Sequence, residues 1–292
     1  DLLTNDEFYQ FLSDESKLLP SSIGLATDGT PELVDFKKLP HSMIVGSTGS
    51  GKTWFMYQML ASWIAVNQPK DLALVLLDPK EATTFSTMVK LPHTHTYCSD
   101  IKRFNDILTL LGREAERRLT FLNEQGYDNI FDYKEDYPDN PDLPIITIII
   151  DEMNAISEEL PKDQHEEFMG HIKLISSKYR SAGLKLIVMA QRATHKAISK
   201  DAQVNFSFRI GLMLAKDQLS EAIGVKSIPF TTTKPGDAGF SISGGDPEYV
   251  QTPALTTTDS KNKDLFIKLG NIWNQLTDSK SKIITLEKYR GS

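Results

Sequence analysis

Residues 46–53 read GSTGSGKT, directly after the apolar run HSMIV and directly before WFMYQML. The octet satisfies G-x-x-x-x-G-K-[ST] through Gly46, Gly51, Lys52 and Thr53. Such a loop holds phosphate only where a strand delivers it and a helix leaves it. Both conditions are met. MIVG has the character of a short buried strand, and GKTWFMYQMLASWIAV places apolar groups at helical spacing with no proline. In that context glycines let backbone N–H groups turn inward around phosphate oxygens, and the helix beginning near Gly51 adds its positive end. Lys52 would reach the β- and γ-phosphates as a point charge, and the Thr53 hydroxyl would ligate Mg²⁺. The candidate nucleotide-binding residues are therefore Gly46, Ser47, Thr48, Gly49, Ser50, Gly51, Lys52, Thr53 and Trp54. The alternative is a plain glycine turn.

Hydrolysis needs a carboxylate beside the phosphates. PIITIIID, residues 144–151, is the most strongly strand-like run in the chain and ends on Asp151, followed by Glu152. Ligands of open α/β sheets sit at the carboxyl ends of strands. Asp151 is thus placed to hold Mg²⁺, and Glu152 to polarise the attacking water. Gln191 ends the next apolar run, LKLIVMAQ, where it would sense the γ-phosphate. These residues also have blander readings. Gln191 could be a polar strand end, and the two acids could belong to an acidic stretch. Residues 123–166 hold thirteen acids against Lys134 and Lys162. The whole chain carries −7, so the rest of it is mildly basic. That balance does not exclude a nucleic-acid partner.

Elsewhere the pattern alternates. TNDEFYQFL has Thr4 and Glu7 in capping-box spacing, predicting a helix over 5–18. Asp28-Gly29 between apolar runs predicts a hairpin. Strands are expected at 72–79, 144–151, 184–191 and 205–214, and helices at 51–66, 100–124 and 164–181. The polar, proline-rich stretch 126–143 reads as a surface loop, and the tail from 261 as a helix with a basic end. Unbroken apolar runs alternating with amphipathic helices predict an α/β fold with a mostly parallel sheet covered on both faces. No run approaches the length of a membrane span. The lone Cys98 makes neither an internal disulfide nor a cysteine metal cluster, which favours a reducing, cytoplasmic setting. The first residue is Asp, so the sequence is expected to be part of a longer chain.

An ordered series of segments resembles the motor domain of the FtsK/SpoIIIE ATPases, in the FtsK–HerA branch of P-loop motors. It runs through SSIGLATDGTPELVDFKKLPHSMIVGSTGSGKT, LVLLDPKE, LLGREAERRLTFLNEQGYDNIFDY, LPIITIIIDEMNAI, SSKYRSAGLKLIVMAQRAT, VNFSFRIGLML and KPGDAGF. The resemblance implies a RecA-like P-loop NTPase fold, ATP with Mg²⁺, and a ring that is usually a hexamer. It also implies an arginine reaching into the neighbouring subunit's site, for which Arg209, Arg118 and Arg180 are the candidates in that order. The domain reading is an N-terminal helix and linker over 1–20, a motor domain over 21–257, and a C-terminal helix and basic tail over 258–292.

Two departures bear on the role. Chromosome-moving relatives usually carry GATGSGKS and QRP, where this chain has GSTGSGKT and Gln191-Arg192-Ala193. The resemblance therefore leads to an ATP-dependent translocase of DNA, bound without regard to sequence, as the coupling ATPase of a conjugative or integrative element. It would join a membrane-associated secretion or conjugation complex, on the cytosolic face, through regions not in this sequence. The alternatives are a type VII-like protein-secretion ATPase, a chromosome-segregation translocase, and an assembly platform with little turnover.

Overall fold

The apolar runs become strands because they can be buried on both faces, and the amphipathic runs become helices that cover them. The computed structural model describes residues 10–12, 14, 17–80, 84–138, 140, 143–192, 200–253 and 264–271. Among these residues there are ten strands: β1 (Pro20–Leu25), β2 (Pro31–Asp35), β3 (His41–Gly46), β4 (Leu72–Leu77), β5 (Thr94–Cys98), β6 (Ile145–Ile150), β7 (Leu184–Ala190), β8 (Phe208–Leu212), β9 (Asp237–Ile242) and β10 (Glu248–Gln251). The helices are α1 (Lys52–Val66), α2 (Phe104–Glu124), α3 (Ile130–Asp136), α4 (Met153–Glu159), α5 (Lys162–Ser177), α6 (Lys200–Gln203) and α7 (Lys216–Ile223). Residues 264–271 are also helical. No helix among the described residues is long and apolar enough to cross a membrane.

The chain divides into two units. The first comprises Asp1–Asn67, Glu152–Asn154 and Val188–Phe266. Its strands are ordered β2-β1-β10-β9-β8-β3, with the C-terminal half of β7 next to β3. β3 and β8 run parallel, Gly46 opposite Leu212. β8, β9, β10, β1 and β2 then follow in antiparallel succession. The Asp28-Gly29 hairpin is present: Ala26 N–H donates to Thr30 O, and Asp28 Oδ1 accepts from Thr30 N–H. α1 is buried nearly all round. Phe55, Met56, Met59, Leu60, Trp63 and Ile64 are inaccessible, and even Gln58 and Ser62 are buried. Gln58 Nε2 donates to Ser21 Oγ. A helix apolar on most sides belongs inside a domain, and this one is anchored by a cluster of rings that includes Phe36, Trp63 and Phe208.

The second unit comprises Gln68–Asp151, Ala155–Ile187 and Ile267–Ser292. Its strands are ordered β7-β6-β4-β5, and β4 pairs parallel with both β6 and β5. LALVLL and IITIII are buried at every position. Helices α2 and α5 are amphipathic, burying Ile107, Leu108, Leu111 and Ala115 on one, and Phe168, Ile172 and Ile175 on the other.

The α/β class stands, with a mixed sheet in which the parallel pairs carry an antiparallel flank. β9 and β10 escape sequence reading because DAGFSI and EYVQ are short and carry glycine or charge. β5 escapes because THTYC is half polar. The expected surface loop over 126–143 contains α3. Asn129 caps it, accepting at Oδ1 from Phe131 and Asp132 N–H, while Ile130 and Tyr133 turn inward. The expected helix over 5–18 is helical at 10–12 and otherwise falls largely outside the described residues, as does most of the tail beyond 271.

Candidate functional site

β3 ends at Gly46, and the glycine-rich loop begins there because nothing larger fits. A Cβ on Gly46 would lie 2.5 Å from Ser50 Oγ and 2.8 Å from Leu212 O. The loop closes on itself through Ser50 N–H to Ser47 O at 3.1 Å. Gly49 and Gly51 take φ of 78° and 101°, a region that side chains avoid. Gly51 caps α1 without a side-chain acceptor, and no acid lies in the first turn. The positive end of α1 thus carries neither a capping side chain nor an acid in its first turn. Ser50 Oγ is buried without a hydrogen-bond partner in the structure. This donor set fits the phosphates of a nucleotide. Thr48 and Gly49 are exposed, Lys52, Thr53 and Trp54 are half-buried on the opening turn of α1, and Ser47 donates to Met213 O at 3.2 Å.

Two of the expected chemical groups meet at one peptide bond. Lys52 Nζ donates to Ala190 O at 3.1 Å, and Gln191 N–H donates to Glu152 Oε1 at 3.3 Å. Ala190 C=O and Gln191 N–H belong to the same amide. In a trans amide the C=O and N–H point in opposite directions, so the end of β7 holds the lysine on one side and the carboxylate on the other. Glu152 is 4% exposed, and its φ of 59° is unusual for a residue with a side chain. Such backbone strain persists where surrounding contacts hold it, and it clusters at functional sites. Gln191 itself is half-buried. Asp151 closes the second unit's β6. Its N–H donates to Leu77 O at 2.9 Å, and its Oδ2 accepts from Thr84 Oγ1 at 2.9 Å. Among the described residues no cluster of three His, Cys, Asp or Glu could hold a metal ion by itself.

The three arginines fare differently. Arg118 is wholly buried in the second unit. It pairs with Glu114 at 2.8 Å and donates to Pro144 O at 2.7 Å and Ala182 O at 3.2 Å. This corrects the expectation that Arg118 is a candidate for a neighbouring subunit's site: a guanidinium sealed among its own chain's carbonyls has no path to another chain. Arg209 is half-buried, donating to Phe206 O at 3.2 Å and also to Gln203 O. To serve in trans it must first release two carbonyls. Arg180 is exposed. Sequence reasoning missed the Ala190–Gln191 peptide, because a backbone group carries no residue signature.

The FtsK/SpoIIIE family profile matches residues 10–229. The chain is 32% identical over 218 residues to the DNA translocase FtsK of Helicobacter pylori (strain ATCC 700392 / 26695), covering 72% of this chain and 25% of that protein. It is 28% identical over 229 residues to the ESX-1 secretion system protein EccCa1 of Mycobacterium tuberculosis (strain CDC 1551 / Oshkosh), covering 72% of this chain and 30% of that one. The chain thus spans a quarter to three-tenths of these relatives. Among solved structures, the pCW3 conjugation coupling protein TcpA, in its monomer form with ATPγS, superposes with a TM-score of 0.72 at 20% identity, over 91% of this chain and 73% of that one. At that identity the likeness speaks for the fold. The phosphate loop built between β3 and α1 and the match over most of the sequence lead to one conclusion: the chain belongs to the FtsK/SpoIIIE family and is a P-loop ATPase.

Proposed function

We propose that the chain is the motor domain of an ATP-driven DNA translocase, in the coupling role of a conjugative or integrative element. The observation that carries the reading is the amide at the end of β7, which holds Lys52 and Glu152 at its two ends. A phosphate-binding lysine and a carboxylate able to polarise water then share one rigid support. When nucleotide enters, Lys52 exchanges the Ala190 carbonyl for phosphate oxygens, and the loop amides and the α1 N-terminus take up the remaining charge. Glu152 orients the attacking water and accepts its proton, while Gln191 senses the γ-phosphate. A bound Mg²⁺ supplies charge neutralisation at the phosphates. Thr53 and Asp151 are its proposed ligands. Residues 21–257 form the motor, which works as a ring, with six copies as the first expectation. Arg209 or Arg180 is the trans arginine. DNA is gripped by its phosphates and hence without regard to sequence. Attachment to a membrane-associated complex falls to other parts of a longer chain.

The choice of DNA is supported by the FtsK relative, which carries the name DNA translocase. A second reading, a type VII-like protein-secretion ATPase, is favoured by the EccCa1 relative and by the acidic stretch 123–166. ATP hydrolysis, measured across protein concentrations with and without duplex and single-stranded DNA at low salt, separates them. Stimulation by DNA that rises with protein concentration is expected. Concentration-dependent turnover indifferent to DNA would move the assignment to protein export. Glu152→Gln is expected to retain ATP binding and abolish hydrolysis, and unchanged turnover would remove Glu152 from the chemistry.

A further inference from the structure

The motif KPGDAGF, residues 234–240, takes no part in the chemistry above, yet it lies against the phosphate loop. Gly236 N–H donates to Ser50 O at 2.8 Å. A Cβ added to Gly51 would sit 3.4 Å from Gly236 N. We propose that Asp237 is a positioning residue for the phosphate loop, acting through the Gly236 N–H on Ser50. The inference rests on reading residues 46–53 as the nucleotide site.

Asp237 is 7% exposed, and both of its carboxylate oxygens are engaged. Oδ2 accepts from the N–H groups of Thr233 and Lys234, each at 3.0 Å, and Oδ1 accepts from the Tyr249 hydroxyl at 3.0 Å. Its own N–H returns to Lys234 O at 3.0 Å. These bonds close the 233–237 turn from inside. Gly236 O is meanwhile held by Thr252 N–H at 2.8 Å and Thr252 Oγ1 at 3.1 Å. With its carbonyl fixed to Thr252, just past the end of β10, Gly236 presents its N–H to Ser50. Glycine is required there, since φ is 86°.

The same residue reaches the start of the loop. Asp237 O accepts from Met213 N–H at 2.9 Å, and Met213 O accepts from Ser47 Oγ at 3.2 Å. The loop is thus tied at Ser47 and at Ser50 to one buried aspartate. The described peptide bonds are all trans, so a carbonyl and the N–H of the following residue point in opposite directions within their shared plane. Fixing Ser50 O on Gly236 turns the Gly51 N–H to the other side, away from the turn. Donors aimed before binding lose no freedom when the anion arrives, which strengthens binding without any new contact. Asp237 touches no reacting atom and acts only through the loop.

ADP affinity of the whole chain, measured by calorimetry, and steady-state ATP turnover test the proposal. Asp237→Asn, which keeps one acceptor oxygen, is expected to weaken ADP binding roughly tenfold, the scale of a lost charge-assisted hydrogen bond. KM for ATP should rise with it, while kcat stays within about twofold, as for a loss of ground-state binding. Tyr249→Phe, which removes one supporting hydroxyl, is expected to weaken ADP binding about two- to threefold. A merely structural role would lower the melting temperature and the active fraction but leave the affinity of the folded protein unchanged. Wild-type affinity in both variants overturns the proposal while leaving the nucleotide reading intact. Failure of the wild-type chain to bind ADP refutes the nucleotide reading, and the proposal with it. If Asp237→Asn does not fold, Tyr249→Phe decides: weaker binding supports the strut, and unchanged binding overturns it.

Discussion

Each of the two units holds a cation against backbone carbonyls, to different ends. In the second unit Arg118 is fully buried, ion-paired with Glu114 and bonded to the carbonyls of Pro144 and Ala182, just ahead of β6 and β7. In the first unit Lys52 is half-buried and donates to the Ala190 carbonyl. Burial separates a cation that builds the fold from one that is available for chemistry. A guanidinium with several fixed acceptors is removed from solvent for good. An ammonium on a flexible stem exchanges one acceptor for another at little cost.

The comparison is broken most directly at Arg118. Arg118→Ala leaves two buried carbonyls and part of Glu114 without a donor, and is expected to destabilise the chain by about 3–5 kcal/mol. Chemical unfolding measures this, and a loss of under about 1 kcal/mol would mean that the site is not structural. Nucleotide affinity of the folded fraction should not change. Lys52→Ala should show the reverse: hydrolysis falls at least about a hundredfold, equivalent to roughly 2.7 kcal/mol, with unfolding stability within about 0.5 kcal/mol of the wild type. A stability loss comparable to that of Arg118→Ala would erase the distinction. Gly46→Ala tests the loop between these extremes. Its Cβ meets Ser50 Oγ and Leu212 O, so about 1–3 kcal/mol of stability is expected to go, together with nucleotide binding.

Acid gives the smallest effect. Burial raises the Glu114 carboxyl, but its bonds to Arg117 and Arg118 outweigh that and hold it below the ordinary value of 4.5. Burial likewise raises Asp237, and the Thr233 and Lys234 N–H groups and the Tyr249 hydroxyl carry it below 3.8. Carboxylates depressed in the folded state stabilise it fully above their unfolded values and lose that contribution as pH falls through the folded ones. Stability is therefore expected to decline below about pH 4.5. Glu114→Gln should flatten part of that decline in pH-dependent unfolding, and an unaltered slope would show that Glu114 is not held by its arginines.

What could be read from the sequence follows from what burial demands of side chains. LALVLL, IITIII and LKLIVMA announce strands because a strand covered on both faces is apolar at every position. GSTGSGKT announces its loop because only glycine tolerates the crowding at Gly46 and the positive φ at Gly49 and Gly51. The order of these segments was enough to identify the family. The α3 helix, the β5 edge and the β9–β10 pair were hidden, because short segments with polar or glycine content are made regular by partners far away in the chain.

The sequence by itself determined the α/β class, the phosphate loop, and the placement of Asp151 and Glu152 at a strand end, since each depends on local spacing. Tertiary structure decided which arginine is sealed inside, that one peptide of β7 holds both Lys52 and Glu152, and that Asp237 braces the loop. Those outcomes rest on backbone carbonyls and N–H groups brought to partners elsewhere in the chain, 26 residues apart for Arg118 and Pro144 and 138 for Lys52 and Ala190. Every residue but proline carries the same two backbone groups, so only the folded chain can say which of them meet.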